Sequence, residues 1–228
     1  MGLRRFLGLK KMKAQPPFPS LKQSTAQLHQ DSWVVHETNE KKGGFFVEIG
    51  AFDGISLSNT YILEKDFGWN GILVEPNPTH TIPILSRRKA SLCTQPIDKV
   101  TGTNVTMRFL INTPELSSLS SASQKDMHAA HRRKDYVEIE MPSLNVNELL
   151  EKNAAPMIID YMSIDTEGNE LDILNSFDFE TYKVSLFSVE HNFTEDEVKI
   201  DSILFENGYE RVHRDFSNFD AWYRRENS

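Results

Sequence analysis

The sequence predicts an α/β domain: a mostly parallel sheet flanked by helices, with an antiparallel hairpin at its C-terminal end. Three observations carry this expectation. Phe45–Ile49 and Gly71–Glu75 are short apolar runs bounded by glycine or proline, the pattern of strands buried on both faces. Met157–Ile164 and Val184–Glu190 repeat the pattern later in the chain. Between these runs lie stretches of helical periodicity, and strands alternating with helices give a parallel sheet covered on both sides.

Taken in order, Gln15 to Pro19 reads Gln-Pro-Pro-Phe-Pro, which cannot be helical and marks a linker. The expected division is therefore a basic N-terminal segment with a Pro-rich linker over 1–23 and a folded domain over 24–228. Ser24 is placed to cap a helix running to about His36. After the first strand, Ser58–Phe67 reads as a helix stopped by Gly68. The second strand ends at Pro76, and Pro78–Arg87 suits another helix. Ala90–Ile97, Val105–Ile111 and Tyr136–Met141 are further strands, with Asn145–Lys152 a helix. Thr113–Lys134 contains a Ser-rich run without a period and reads as a long mobile loop, a place where lids and binding loops occur. A helix begins near Asn169, another covers Glu195–Glu206, and Gly208–Arg214 with Ala221–Arg225 forms the closing hairpin.

Composition limits the function classes. At 39% hydrophobic and 25% charged residues the chain is globular. No run approaches the roughly 20 apolar residues of a membrane span. The single cysteine, Cys93, allows no internal disulfide, fits a reducing cytoplasmic setting and reads as a small buried hydrophobe. A net charge of −8 disfavours a general nucleic-acid binder, whose affinity comes from neutralising phosphates. The charge is uneven. Arg4, Arg5, Lys10, Lys11 and Lys13 interleave with Phe6, Leu7, Leu9 and Met12, so the N-terminus is either a frayed basic tail or a weak contact for a membrane surface or a glycosyltransferase.

The first functional signal is Glu48-Ile49-Gly50-Ala51-Phe52-Asp53-Gly54, at the carboxyl end of the first strand, where open α/β sheets bind ligands. Gly50 permits a sharp turn and close approach of a ligand to the backbone. The dinucleotide fingerprint fails at its third glycine. Glu48 and Asp53 would repel a pyrophosphate and suit a ligand bearing an ammonium and a sulfonium, which describes S-adenosylmethionine. Glu75 ends the second strand, 25 residues beyond Gly50, where an acid accepts hydrogen bonds from ribose hydroxyls.

A second acidic cluster, Ser163-Ile164-Asp165-Thr166-Glu167-Gly168-Asn169-Glu170, follows a later strand and faces the same crevice. Asp165 and Glu167 are two apart, so an extended tip points them to one side. Glu190-His191-Asn192 ends the next strand. An alcohol needs a base to become a good nucleophile, and either Asp165 or His191 could be that base. Alternatively, Asp165, Glu167 and His191 hold a divalent cation such as Mg²⁺ that acidifies the hydroxyl. His80, His128, His131 and His213 lack such context and are expected at the surface.

These residues resemble the FkbM family of methyltransferases. The resemblance runs from about Gly44 to Glu210 and is carried by Phe-Val-Glu-Ile-Gly-Ala-Phe-Asp-Gly (46–54), Ser-Leu-Ser-Asn-Thr (56–60), Leu-Glu-Lys (63–65), Gly-Trp-Asn-Gly-Ile-Leu-Val-Glu-Pro-Asn-Pro (68–78), Ser-Ile-Asp-Thr-Glu-Gly-Asn-Glu (163–170), Val-Glu-His-Asn (189–192) and Gly208-Tyr209. It implies a Rossmann-like methyltransferase fold, S-adenosylmethionine as donor and, usually, O-methylation. Similar members accompany polysaccharide and natural-product biosynthesis, so a sugar or glycan hydroxyl is the expected acceptor. By the resemblance, Glu48, Gly50, Ala51, Asp53, Gly54, Ser58, Asn59, Glu75 and Pro76 hold the cofactor, and Asp165, Glu167 and His191 face the acceptor. An adenine contact is expected near Pro96 to Asp98.

Two other readings compete. Methylation of a base or of RNA is disfavoured by the acidic domain and by Ser-Ile-Asp-Thr-Glu-Gly where N-methyltransferases often carry Asn/Asp-Pro-Pro-Tyr/Phe. A non-catalytic module that binds the cofactor and docks onto a partner is disfavoured by the intact acidic cluster.

Overall fold

The structure is a computed structural model that describes residues 15–121 and 135–226. Its main sheet has seven strands: β1 (Phe45–Ile49), β2 (Asn70–Val74), β3 (Ser91–Cys93), β7 (Ile158–Ile164), β8 (Lys183–Glu190), β9 (Tyr209–Val212) and β10 (Asp220–Arg225). Their spatial order is β3-β2-β1-β7-β8-β10-β9. The first five run parallel, and β10 pairs antiparallel with both β8 and β9. The chain thus builds outward from β1 in one direction, returns, and builds outward from β7 in the other. The crevice between the carboxyl ends of β1 and β7 is the topological switch point, where such sheets bind ligands.

Seven helices among the described residues surround the sheet: α1 (Gln30–Glu37), α2 (Tyr61–Phe67), α3 (Pro78–Arg87), α4 (Val146–Lys152), α5 (Glu170–Ser176), α6 (Asp196–Glu206) and the single turn α7 (Arg214–Ser217). Alternation along the strands divides the core in two. Val47 and Ile49 of β1 join Leu149 of α4, Ile173 of α5 and Leu204 of α6 on one face. Phe46 joins Trp33 of α1, Leu63 of α2 and Ile84 of α3 on the other. Glu48 shares a side with Phe46 by the same alternation, so its carboxylate is buried toward the α2 and α3 layer. No helix among the described residues is long and apolar enough to cross a membrane.

Several elements depart from the sequence expectation. The first helix starts at Gln30, and Ser24 is not its cap. Its hydroxyl donates to the Asp31 carboxylate (2.7 Å), which also accepts from the Thr25 N–H and so fastens the preceding loop to the first turn. The Pro-rich segment joins the domain: Phe18 is buried against Phe216, Trp222 and His213. The strand expected over Ala90–Ile97 stops at Cys93, because Pro96 has no N–H to give a ladder and Ile97 bridges to Leu144. Cys93 itself is half-buried, and burial pushes its thiol pKa up, which keeps it inert.

The larger departure is a second, antiparallel sheet of β4 (Asn104–Leu110), β5 (Ser118–Leu119) and β6 (Tyr136–Pro142), in the order β5-β4-β6. In β4 Met107 and Phe109 are buried while Arg108 between them faces Glu138 of the outer strand β6, which is exposed along most of its length. That is the signature of a sheet with one covered face, unlike the uninterrupted apolar runs of β7 and β8. Part of the expected long loop is therefore ordered: Pro114–Leu116 forms a 3₁₀ turn and Ser118–Leu119 pairs with β4. The rest of that loop, with His128, His131, Arg132, Arg133 and Lys134, lies outside the described residues, as does the basic segment 1–14. The closing hairpin is present, with α7 inserted between its strands and β10 on the inside.

Phe18 offers a direct check on where the domain begins. Phe18→Ala is expected to destabilise the protein by roughly 3–5 kcal/mol, as for other buried aromatics. Denaturant unfolding measures this, and a loss under 1 kcal/mol would place the segment outside the cooperative unit.

Candidate active site

At the switch point β1 and β7 approach as closely as their backbones allow. Gly50 has φ of 95°, and a Cβ added there would lie 1.8 Å from the carbonyl oxygen of Asp165. The Gly50 and Ala51 N–H groups donate to Val74 O (3.0 Å each), and the Asp165 N–H donates to Ile49 O (2.9 Å). Three strand tips are thereby locked together. Beside them opens a concave cleft lined by residues from all three tips. Left-handed backbone at Phe52, Leu57 and Glu167 clusters around it, as strained residues do at functional sites.

Of the residues expected at the cofactor, Glu48, Gly50, Ala51, Ser58, Asn59, Glu75 and Pro76 line this cleft. Asp53 and Gly54 do not. The Asp53 carboxylate accepts from the N–H groups of Ile55 (2.9 Å) and Ser56 (2.6 Å) and from the Ser56 hydroxyl, so it holds its own loop together. Gly54 packs against Ile84 and Arg88 instead. Pro96 and Ile97 line the cleft where an adenine contact is expected, and Asp98 is not part of it.

Glu75 presents an acceptor pair to the cleft. One oxygen accepts from the Phe52 N–H and the other from the Asn77 N–H, both at 2.8 Å. Each carboxylate oxygen keeps a lone pair for a further donor, which fits a vicinal diol. His80, expected at the surface, is buried beside it, with Nδ1 3.7 Å from Glu75 and the ring edge-on to Phe52. His213 is likewise partly enclosed, against Phe18 and Trp222.

The acceptor side differs from expectation in one residue. Asp165 and Glu167 line the cleft, although the tip is a turn with Glu167 left-handed and not the extended segment expected, and their oxygens, with one of Glu190, all lie within 4.8 Å of one another. His191 is absent from this group. Successive strand residues point to opposite sides, and Ile164 pairs with Val189, which sets Glu190 beside Asp165 and turns His191 away. His191 faces Glu197 (3.5 Å) and Arg211 (3.4 Å), and its Nδ1 accepts from the Phe193 N–H. The expected Asp165–Glu167–His191 set for a cation is therefore not assembled. Asp165, Glu167 and Glu190 form the oxygen set that could hold one, a donor type suited to hard divalent ions. Glu190 sits in the Val-Glu-His-Asn motif, and its parity relative to Asp165 was the signal that could have selected it.

Electrostatically the cleft is negative. Burial, with the negative charges of Asp220 and Glu170, pushes the Asp165 carboxyl up to about 7. Burial, with Asp165 and Glu167, drives Glu190 well above the usual carboxylate range. Carboxyls this close cannot all be ionised together, so at neutral pH the group retains protons. Glu170 is the anchor of the loop: its carboxylate accepts from the N–H groups of Thr166 (2.8 Å) and Gly168 (3.0 Å). The cleft's other wall is apolar, made of Met107, Phe109, Leu116 and Leu119 from the small sheet and its turn.

These residues fit S-adenosylmethionine. Asn59 Oδ1 and Glu190 Oε2 are buried acceptors without hydrogen-bond partners, as a cationic ligand with donors requires, and Glu75 suits a ribose.

The family comparison agrees. Residues 48–211 match the family model described as the methyltransferase FkbM domain. No curated protein matches the chain. Among solved structures the chain is similar to the precorrin-6y C5,15-methyltransferase of Geobacter metallireducens GS-15, at 11% identity and TM-score 0.46, over 85% of this chain and 78% of that one. It is also similar to a ribosomal protein L11 methylase from Lactobacillus delbrueckii subsp. bulgaricus, at 12% identity and TM-score 0.43, over 87% and 78% of the two chains. A SAM-dependent methyltransferase from Aquifex aeolicus aligns at 11% identity and TM-score 0.41, over 85% and 88%.

The raised carboxyl of Asp165 makes the cleft a source of instability with a definite pH sense. Its folded pKa of about 7 exceeds the ordinary aspartate value of 3.8, so the folded state binds more protons between those values. Stability from this group is complete below about pH 4 and falls as pH rises through about 7. Asp165→Asn is therefore expected to raise Tm by several degrees at pH 8, at about 2–4 °C per kcal/mol for a domain of this size. The gain should shrink toward pH 4.5 in a thermal-shift series. A constant difference across that range would contradict the assignment.

Proposed function

The chain belongs to the FkbM methyltransferase family, and from that premise we propose that this S-adenosylmethionine-dependent methyltransferase methylates a hydroxyl group, on a sugar within a glycan or natural product. The observation that carries the hydroxyl reading is the half-buried carboxyl of Asp165, set in the ligand cleft and poised near neutrality. An alcohol attacks a methyl group only as its proton leaves, and a base with pKa near the working pH serves best. The family resemblance supports the sugar.

When bound, the cofactor supplies an activated methyl group on a sulfonium. Glu75 holds the ribose hydroxyls at its two oxygens. Pro76 and Ile97, which line the cleft, would hold the adenine. Asp165 takes the acceptor's hydroxyl proton at a carboxylate oxygen and becomes neutral, the form that its burial beside Glu190 favours. The apolar side chains of Met107, Phe109 and Leu119 keep water from competing as acceptor. Three carboxyls at the acceptor end also oppose a polyanionic substrate such as RNA. A second reading is favoured by those same oxygens within 4.8 Å: a divalent cation such as Mg²⁺ held by Asp165, Glu167 and Glu190 would acidify the hydroxyl in place of a free base.

Glu75→Gln is expected to weaken cofactor binding roughly 10–100-fold in calorimetry, the cost of a lost hydrogen bond to a charged group. Unchanged affinity would remove Glu75 from the ribose site. Asp165→Asn should bind the cofactor within a few-fold of wild type while methyl transfer to a panel of sugars and glycans falls about 10²–10⁴-fold. Wild-type rates in that variant would remove Asp165 from the chemistry. Activity abolished by chelation and restored by Mg²⁺ would favour the metal reading.

A further inference from the structure

The motif acid of β1, Glu48, is the residue that the sequence assigns first to a cationic cofactor, yet its carboxylate is already used. One oxygen accepts from the Asn59 N–H (2.6 Å) and the Ser58 hydroxyl (3.1 Å). The other accepts from the Thr60 hydroxyl (2.6 Å) and again from Ser58 (2.9 Å). Arg88, fully buried, lies 3.7 Å away and balances the charge. These bonds fix the Ser58-Asn59-Thr60 segment to β1.

Asn59 is in the opposite condition. Its side chain is 7% exposed, and its Nδ2 donates to the Ser163 hydroxyl on β7 (2.9 Å). Ser163 also accepts from Ser188 (3.3 Å), which bonds Tyr161 (2.6 Å), so a chain of buried hydroxyls backs the amide. That leaves Asn59 Oδ1 buried, without a partner, on the wall of the cleft. A buried acceptor left unmade costs about 1–3 kcal/mol, and a ligand donor would recover it. The Asn59 amide is tied to β1 and β7 through Glu48 and Ser163, away from Glu75 on β2, in a cleft that Asp165 and Glu190 also line. A donor carrying positive charge is the group that this place selects.

We infer that Asn59 Oδ1 receives the ammonium group at the amino-acid end of the cofactor, and that Glu48 and Ser163 are positioning residues that hold Asn59 for it. The inference rests on the methyltransferase reading of the cleft and adds which atom takes which end of the ligand. Glu75 and Asn59 then divide the cofactor between them, one at the ribose and one at the ammonium.

The test compares two ligands by calorimetry on the full chain: S-adenosylhomocysteine, which has the amino-acid end, and 5′-methylthioadenosine, which lacks it. Asn59→Ala is expected to weaken S-adenosylhomocysteine about 10–100-fold and to leave methylthioadenosine within about two-fold. Asn59→Asp, which can only accept, should keep or improve S-adenosylhomocysteine affinity. Ser163→Ala should weaken that ligand alone, by a smaller factor. Glu48→Gln should add little to the loss once Asn59 is already Ala, because it acts through Asn59. Equal losses for both ligands in folded Asn59→Ala, or no loss for either, would overturn the inference. So would an Asn59→Asp variant that loses S-adenosylhomocysteine, which would make Asn59 a donor to the ligand's carboxylate. Wild-type protein that binds neither ligand would overturn the cofactor reading itself, and this inference with it.

Discussion

The close approach of β1 to β7 at Gly50 is the constraint from which the site follows. The missing Cβ lets the Asp165 carbonyl occupy space that any other residue would claim. The two strand tips then end side by side, where the chain's outward build reverses direction. Glu48 and Ser163 are paired in that register, and the acidic tip of β7 is brought to the glycine turn of β1. A side chain at position 50 would separate the strands and disperse the groups that line the cleft.

The second theme is charge placed where it is expensive. Glu48 is compensated: Arg88, fully buried, joins it, Glu64, the Gly54 carbonyl and the Thr60 hydroxyl. Among the described residues no cation pairs with Asp165 or Glu190, and burial raises both carboxyls. The protein thus spends stability at the crevice and regains it in the two apolar cores on either face of the sheet, the usual division between a site and its scaffold. The arrangement also sets a polarity along the cleft, with the diol-accepting Glu75 at one end and the carboxyl cluster at the other.

The small antiparallel sheet gives the cleft its other wall. β4 and β6 pair over seven residues, long enough to hold Met107 and Phe109 in register against Leu119. An acidic floor facing an apolar wall suits a ligand with a charged end and a flat heterocycle. It also lowers the local dielectric, which is what lifts the floor's carboxyls toward neutrality.

The sequence alone determined the parallel core strands, the glycine turn, Glu75, Asp165 and Glu167, and with them the family. Those features are local: each is a run or a spacing of a few residues whose strand parity and turn chemistry can be read without knowing what lies opposite. Tertiary structure decided the rest, because it depends on pairing between distant segments. Whether Glu190 or His191 faces Asp165 is set by the register of β8 on β7. Arg88 becomes the counter-ion of Glu48 only when α3 packs on the first half of the sheet. The strands β4 and β6 could have joined the main sheet, and their pairing with each other and with β5 set β4 and β5 against the cleft instead. Phe18 lies in a Pro-rich stretch that resembles a linker until Trp222 and Phe216, some two hundred residues later, close around it.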